Sequence, residues 1–223
     1  MKMNSFCKNF TPVRYFDRKI FNVTLLLAAV LVLSGCKPTE PVEAIEPFQS
    51  TDVTGANFAK DFQLLDHLGH KRTLADFKGK VVAIFFGYIH CPDICPTTLT
   101  ELASVMDSLG QDANKVQVLF VTLDPVRDTQ EVLAKFVPSF NPTFIGLHGT
   151  PEEIADTAKE YKLVYTKQQS KTSANYTLDH SAGVYIYDTT GKIRLYASYG
   201  QGVDTLVADF KTLLGTSASQ SAP

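Results

Sequence analysis

Val81-Val82-Ala83-Ile84-Phe85-Phe86 runs straight into Gly87-Tyr88-Ile89-His90-Cys91-Pro92-Asp93-Ile94-Cys95-Pro96. The first six residues are a continuous apolar run, the mark of a central strand buried on both faces. The next ten carry two thiols with three residues between them, bracketed by prolines. From Ile94 onward, Leu99, Leu102, Val105, Met106 and Leu109 keep helical spacing, so a helix is predicted from Ile94 to Leu109. Strand, dithiol loop and helix thus follow one another without a gap. Such a pair of sulfurs can hold a soft metal ion, exchange electrons as a disulfide, or do both.

Working outward, Phe62-Gln63-Leu64-Leu65 and Lys71-Arg72-Thr73-Leu74 flank Asp66-His67-Leu68-Gly69, a hairpin-like turn. Val116-Gln117-Val118-Leu119-Phe120-Val121 is a second buried strand. Thr129 to Phe136 is predicted helical, with Pro138 ending it. Thr150-Pro151-Glu152-Glu153 is a capping box with proline at the first helical position, so a helix starts there and runs to about Tyr161. Leu163-Val164-Tyr165 is predicted as a short strand. Gly183-Val184-Tyr185-Ile186-Tyr187 and Ile193-Arg194-Leu195-Tyr196-Ala197 flank Asp188-Thr189-Thr190-Gly191 as an antiparallel hairpin, and Val203 to Leu214 closes the chain as a helix. Alternating strands and helices with a final hairpin mean an α/β fold: a mixed central sheet flanked by helices, with an N-terminal β-hairpin extension. A dithiol at the junction of a buried strand and the next helix resembles the thioredoxin arrangement. Ligands in such sheets gather at the carboxyl ends of strands, where Cys91 and Cys95 fall.

The first 35 residues are expected to be a targeting segment. Lys2, Lys8, Arg14, Arg18 and Lys19 precede an apolar run from Ile20 to Leu33, which ends in Leu33-Ser34-Gly35-Cys36. A cysteine after Leu-Ser-Gly resembles a bacterial lipobox, in which the Cys36 thiol is lipidated. An uncleaved anchor would need about 20 apolar residues, and the run falls short. The expectation is an exported lipoprotein, membrane-anchored and facing the periplasm or cell exterior. Residues 36–57, rich in Pro, Glu, Thr and Val, then form a flexible spacer. Residues 58–215 are one domain, and 216–223 a disordered tail. The segment 1–35 carries five basic residues and one acid, so the remainder holds −6 against −2 for the whole chain. An acidic domain argues against nucleic acid as a partner.

With Cys7 removed and Cys36 lipidated, Cys91 and Cys95 are the remaining thiols. A structural disulfide is a poor reason for them, because a bridge across three residues closes a tiny loop and stabilises little. If Cys91 sits at the mouth of a helix and Cys95 in its first turn, the helix N-terminus favours thiolate over thiol. Thiolate is the form that binds metal and attacks disulfides, so this position serves both chemistries. Two features tip the balance. Thioredoxin-type redox enzymes usually carry two residues between their cysteines, and here there are three. In a thioredoxin-like fold the loop facing the dithiol usually holds a proline. This chain has none between Pro151 and Pro223, and carries Asp179-His180 there instead. Two thiolates and an imidazole suit Cu(I), whereas zinc would want a fourth ligand.

The segments Gly87–Pro96, Leu123-Asp124-Pro125-Val126-Arg127-Asp128-Thr129 and Asp179-His180 resemble the Sco/SenC family of copper-binding, thioredoxin-like proteins. The likeness extends over about residues 58–214. It implies assembly of the copper centre of cytochrome c oxidase, with Cys91, Cys95 and His180 as copper ligands. The implied partners are a cytochrome c oxidase copper-site subunit or another copper chaperone. Cu(II) could also bind, with an added oxygen ligand. The other reading is a thiol–disulfide oxidoreductase that keeps the client's cysteines reduced, with Cys91 as attacking and Cys95 as resolving thiol and a disulfide bond between them in the oxidised form. A peroxiredoxin-like peroxidase fits less well, since it needs a single cysteine in a Thr/Arg-polarised pocket.

Other candidates have milder readings. His90 is a loop residue beside Cys91. His67, His70 and His148 are expected in turns. Asp179 is expected to orient His180. Asp124 and Asp128 flank Arg127, as an Asp-Pro turn followed by a helix cap at Asp128. Asp93 is expected to favour the first helical turn. Tyr185, Tyr187, Tyr196 and Tyr199 are assigned to the final hairpin.

Overall fold

The computed structural model describes residues 48–169 and 176–220. The expected export signal, Cys36 with its lipid, the spacer as far as residue 47 and the last three residues lie outside that range.

An eight-stranded sheet, its strands numbered along the chain, runs in the order β1 (Thr51–Asp52), β10 (Ile193–Ala197), β9 (Val184–Tyr187), β4 (Val81–Gly87), β5 (Val116–Thr122), β6 (Ile145–His148), β2 (Leu64–Asp66) and β3 (Lys71–Arg72). The three central strands β4, β5 and β6 are parallel, and the outer ones pair antiparallel. β4 and β5 stay in register from Val81↔Val116 to Gly87↔Thr122. Every residue of both is buried, so successive side chains enter packed layers on opposite faces. That two-sided burial is why they read as unbroken runs rather than alternating ones.

Among the described residues four α-helices connect and cover the strands: α1 (Ile94–Leu109), α2 (Gln130–Phe136), α3 (Pro151–Glu160) and α4 (Val203–Gln220). α1 buries Leu99, Leu102, Val105, Met106 and Leu109, the residues whose spacing predicted it. α3 starts at its capping box: Thr150 N donates to Glu153 Oε2 at 2.8 Å, and Glu153 N donates to Thr150 Oγ1 at 3.2 Å. A separate two-stranded sheet pairs β7 (Tyr165–Gln169) with β8 (Tyr176–His180), and Tyr165 faces His180 at its base.

Four expectations need correction. The spacer does not extend to residue 57. Phe48 and Ser50 are buried, β1 pairs with β10, and the buried Asp209 of α4 accepts hydrogen bonds from Gln49 N at 2.7 Å and Ser50 N at 2.9 Å. A two-residue edge strand has no period to read, so its partners alone reveal it. The strand expected at Leu163 begins at Tyr165. Lys162 takes a left-handed conformation (φ 51°), and Leu163 N reaches back to Ala158 O at 2.9 Å, so these residues close α3. His180 ends a strand rather than opening a loop, since it pairs with Tyr165; β7, an exposed polar segment with no apolar alternation, gives no sign of that partner. Lastly, α4 runs to Gln220, into the stretch read as a disordered tail; Thr-Ser-Ala-Ser-Gln holds no Gly or Pro to stop it.

Candidate metal centre

The site grows from the end of β4. Gly87 must be glycine because a Cβ there would lie 2.8 Å from Cys95 Sγ and 2.9 Å from the Phe120 ring. Tyr88 follows. Its carbonyl accepts from Cys91 N at 3.2 Å, and its own N–H is directed at the Cys95 sulfur. The chain turns through Ile89 and His90, and α1 begins at Ile94. Cys95 is therefore the second residue of the helix and fully buried, while Cys91 lies half-buried ahead of it. Both are free thiols.

The expectation that the helix mouth activates both sulfurs fails for Cys95. Burial pushes this thiol well above the ordinary range, and neighbouring Cys91 and Asp128 add to the shift, against the pull of the Tyr88 N–H. Loss of water outweighs the helix dipole when a sulfur is enclosed. Cys95 is thus held as a neutral thiol until something replaces its proton.

His180 arrives from the end of β8. Its Nε2 lies 3.6 Å from Cys95 Sγ, and its Nδ1 lies 2.9 Å from Ser181 O. A carbonyl can only accept, so Nδ1 carries a proton, and in the neutral ring Nε2 turns its lone pair toward the sulfur. That is the tautomer a metal requires. Among the described residues, the sulfurs of Cys91 and Cys95 and a nitrogen of His180 lie within 4.8 Å of one another. Two thiols and one imidazole at this spacing fit a soft, low-coordinate ion.

The neighbours differ from expectation. Asp179 accepts from Gln168 Nε2 at 2.9 Å and does not orient His180; the Ser181 carbonyl does that. Asp128 is no helix cap, since Thr129 takes that position. Instead it is fully buried, and its Oδ2 accepts from Ile89 N at 3.0 Å and Thr122 Oγ1 at 2.7 Å, which pins the turn before Cys91. Asp124 is buried too and accepts from Arg127 Nε and from Tyr176 Oη, the latter at 2.7 Å. Asp93 occupies the cap position of α1, but its side chain makes no cap bond.

His90 is an exposed loop residue as expected, 3.8 Å from Asp128. His70 sits in its turn beside Asp66. His67 braces the fold by accepting Gly146 N at 2.9 Å, and His148 ends β6 rather than lying in a turn. Of the four tyrosines, Tyr185 and Tyr187 are core residues, donating to Tyr161 O at 2.9 Å and Ala59 O at 2.8 Å, while Tyr199 lies beyond the hairpin.

Sequence reasoning missed Tyr88 and Tyr176. The Tyr88 ring stands edge-on to His180, with centroids 6.0 Å apart. Its place between strand and dithiol was the available signal. Tyr176 opens the short alternation Tyr-Thr-Leu-Asp-His, a strand signal that was available in the same way.

Comparison with known proteins completes the identification. The sequence model of SCO1/SenC matches residues 50–215. The chain belongs to the SCO1/SenC family. Its match to the mitochondrial SCO2 homolog of Bos taurus is 38% identical over 148 residues, 66% of this chain and 56% of that protein. A SCO2-like protein of Rickettsia felis is 34% identical over 179 residues, covering 78% of this chain and 86% of the other. The structure of Bradyrhizobium japonicum ScoI with copper bound superposes with a TM-score of 0.64 at 38% identity, covering 70% of this chain and 98% of that one. The SCO1/SenC match begins at Ser50, ahead of the expected boundary, in agreement with β1 belonging to the domain. Among the described residues no helix is long and apolar enough to cross a membrane.

Proposed function

We propose that this chain binds copper through Cys91, Cys95 and His180 and delivers it during assembly of the copper centre of cytochrome c oxidase. The observation that carries this reading is the convergence of three ligand atoms within 4.8 Å from segments 85 residues apart. The copper-bound ScoI relative supports it. Cu(I) suits two thiolates and an imidazole. Cu(II) would add an oxygen ligand. Binding displaces the Cys95 proton, and His180 presents Nε2 already free of one. Delivery proceeds by ligand exchange, with the partner's thiolates replacing these ligands one at a time. That partner is the oxidase subunit carrying the copper site, or another copper chaperone passing the metal on. A lipid on Cys36 would hold the domain at the outer face of the membrane that it serves.

Copper titration of Cys91→Ala, Cys95→Ala and His180→Ala tests the site. Each variant should bind more weakly than the parent. Unchanged affinity and an unchanged ligand spectrum in His180→Ala would reject the three-ligand reading.

A second reading rests on the unequal exposure of the two thiols. Half-buried Cys91 can attack a client disulfide as thiolate, forming a mixed disulfide and releasing one client thiolate. Cys95 then loses its proton and attacks Cys91 Sγ, which frees the second client thiol and leaves a Cys91–Cys95 disulfide. Reductase activity that persists in His180→Ala, in protein purified without copper, would favour this reading over the first.

A further inference from the structure

The strand that carries His180 is not part of the main sheet. Among the described residues β7 and β8 pair with each other alone. Along β8, Tyr176, Leu178 and His180 alternate with exposed Thr177 and Asp179, so these three share the inner face. Apart from His180 at the site itself, two further attachments among the described residues tie β8 to the body of the domain. The Leu178 backbone meets the Tyr88 hydroxyl. Tyr176 makes the larger attachment. Its hydroxyl donates to Asp124 Oδ1 at 2.7 Å, its carbonyl accepts from Arg127 Nη1 at 3.0 Å, and the Arg127 guanidinium lies 3.6 Å from its ring centroid. A cation at that distance over a ring is attracted by the ring's quadrupole.

The body side of this attachment is fixed to the dithiol strand. Arg127 pairs with the buried Asp124, and Asp124 N donates to Thr122 Oγ1 at 2.9 Å. Leu123 N donates to Gly87 O at 2.7 Å, at the residue that packs against Cys95. Tyr176 is four residues from His180, about 14 Å along a strand at ~3.4 Å per residue. A hold at one end of a strand limits how far the other end can move, and so how far His180 can withdraw from the two sulfurs.

We propose that Arg127 and Tyr176 form a latch that holds the β7–β8 hairpin against the Asp124 loop and sets how long His180 stays bonded to copper. The inference rests on the copper-binding reading above. It makes Arg127 and Tyr176 positioning residues that never touch the ion. With the latch closed, all three ligands are held. With it open, the imidazole leaves while both sulfurs stay in place, and the ion becomes open to an incoming thiolate.

The test loads full-length protein with Cu(I) and times its loss to a competing chelator, and it records the Cu(II) absorption and nitrogen hyperfine spectra. Tyr176→Ala and Arg127→Gln should lose copper about tenfold faster, the scale at which groups behind a metal ligand act. Their Cu(II) spectra should move toward that of His180→Ala. Tyr176→Phe keeps the ring under Arg127 and should show a smaller effect. In a His180→Ala background the latch variants should have no further effect. A folded Tyr176→Ala protein with parental loss rate and spectra overturns the latch, whatever its melting temperature, and so does equal acceleration in the His180→Ala background. If His180→Ala itself binds and spectrally resembles the parent, the copper site as drawn has failed, and the latch with it. If His180→Ala departs from the parent while the latch variants do not, the latch alone has failed.

Discussion

His180 Nε2 faces Cys95 Sγ at 3.6 Å across the end of the sheet. In the neutral imidazole Nδ1 donates to Ser181 O at 2.9 Å, which leaves Nε2 as an acceptor toward the sulfur. The sulfur, a neutral thiol by burial, is the donor. Replacing His180 with Asn should therefore remove the proposed nitrogen ligand while keeping a polar side chain. Asn keeps a polar tip but offers no nitrogen lone pair at the Nε2 position. We expect His180→Asn to bind Cu(II) at least tenfold more weakly and to lose the imidazole nitrogen signature, measured by competition titration and electron paramagnetic resonance. Parental hyperfine structure in that variant would remove His180 from the ligand set.

Cys91 and Cys95 should also differ sharply in reactivity without metal. Cys95 is enclosed, and its thiol is shifted upward by burial. A raised thiol pKa means that the thiolate fraction still climbs with pH beyond the ordinary thiol range. Alkylation of metal-free protein should label Cys91 first and Cys95 slowly, with the Cys95 rate still rising where a free thiol has levelled off. Mass spectrometry of timed digests separates the two sites. Equal rates would mean that the dithiol loop opens readily.

Gly87 is where the fold yields most to the site. A methyl there would meet Cys95 Sγ, Phe120 and Phe85 at 2.8, 2.9 and 3.2 Å. Gly87→Ala should cost about 1–3 kcal/mol, the usual range for overpacking a filled core. Copper affinity should fall as well, since the displaced atom is a proposed ligand. Denaturant titration and copper competition on one preparation measure both. Stability lost with affinity unchanged would show that Phe120 gives way instead of Cys95.

The central part of this architecture could be read from local patterns because its causes are local. Val81–Phe86 and Val116–Val121 are apolar throughout because both faces of the sheet are covered, and α1 keeps its period because one side packs inward. The three candidate ligands were identifiable by residue type and by the missing proline. What escaped was decided by partners distant in sequence. β1 pairs because β10 offers it an edge, and β8 is tied to the body of the domain by the Tyr176–Asp124 bond across 52 residues. Asp128 resembled a helix cap because the sequence does not show that its carboxylate turns inward to Ile89 and Thr122.

Asp209 gives the N-terminal boundary a direct test. Its carboxylate is fully buried and receives the N–H groups of Gln49 and Ser50. Asp209→Ala strands these donors, at a cost of about 1–3 kcal/mol. The loss should appear as faster hydrogen exchange at residues 49–53 and a lower denaturation midpoint, with the copper spectra unchanged. Undisturbed exchange there would mean that the N-terminal segment is held by other contacts.

Asp128 should leave a pH signature of its own. Burial raises its carboxyl pKa, and the nearby Asp124 charge adds to this, while hydrogen bonds from Thr122 and Ile89 pull it down without cancelling the shift. The pKa is then higher in the folded than in the unfolded chain, so the folded state prefers the protonated form. Stability from this group is fully present below the unfolded carboxylate pKa and is lost as pH rises through the folded value. Among the described residues Asp128 Oδ1 has no hydrogen-bond partner, so an amide NH2 in its place breaks no existing bond. Asp128→Asn keeps one oxygen for Ile89 and Thr122 and removes the charge. We expect the variant to match the parent at the acid end of the window and to gain on it as pH rises through the carboxylate range toward neutrality. Denaturation midpoints of both proteins between pH 4 and pH 8 measure the difference. A difference independent of pH would mean that Asp128 is already neutral throughout that range or carries its charge without penalty.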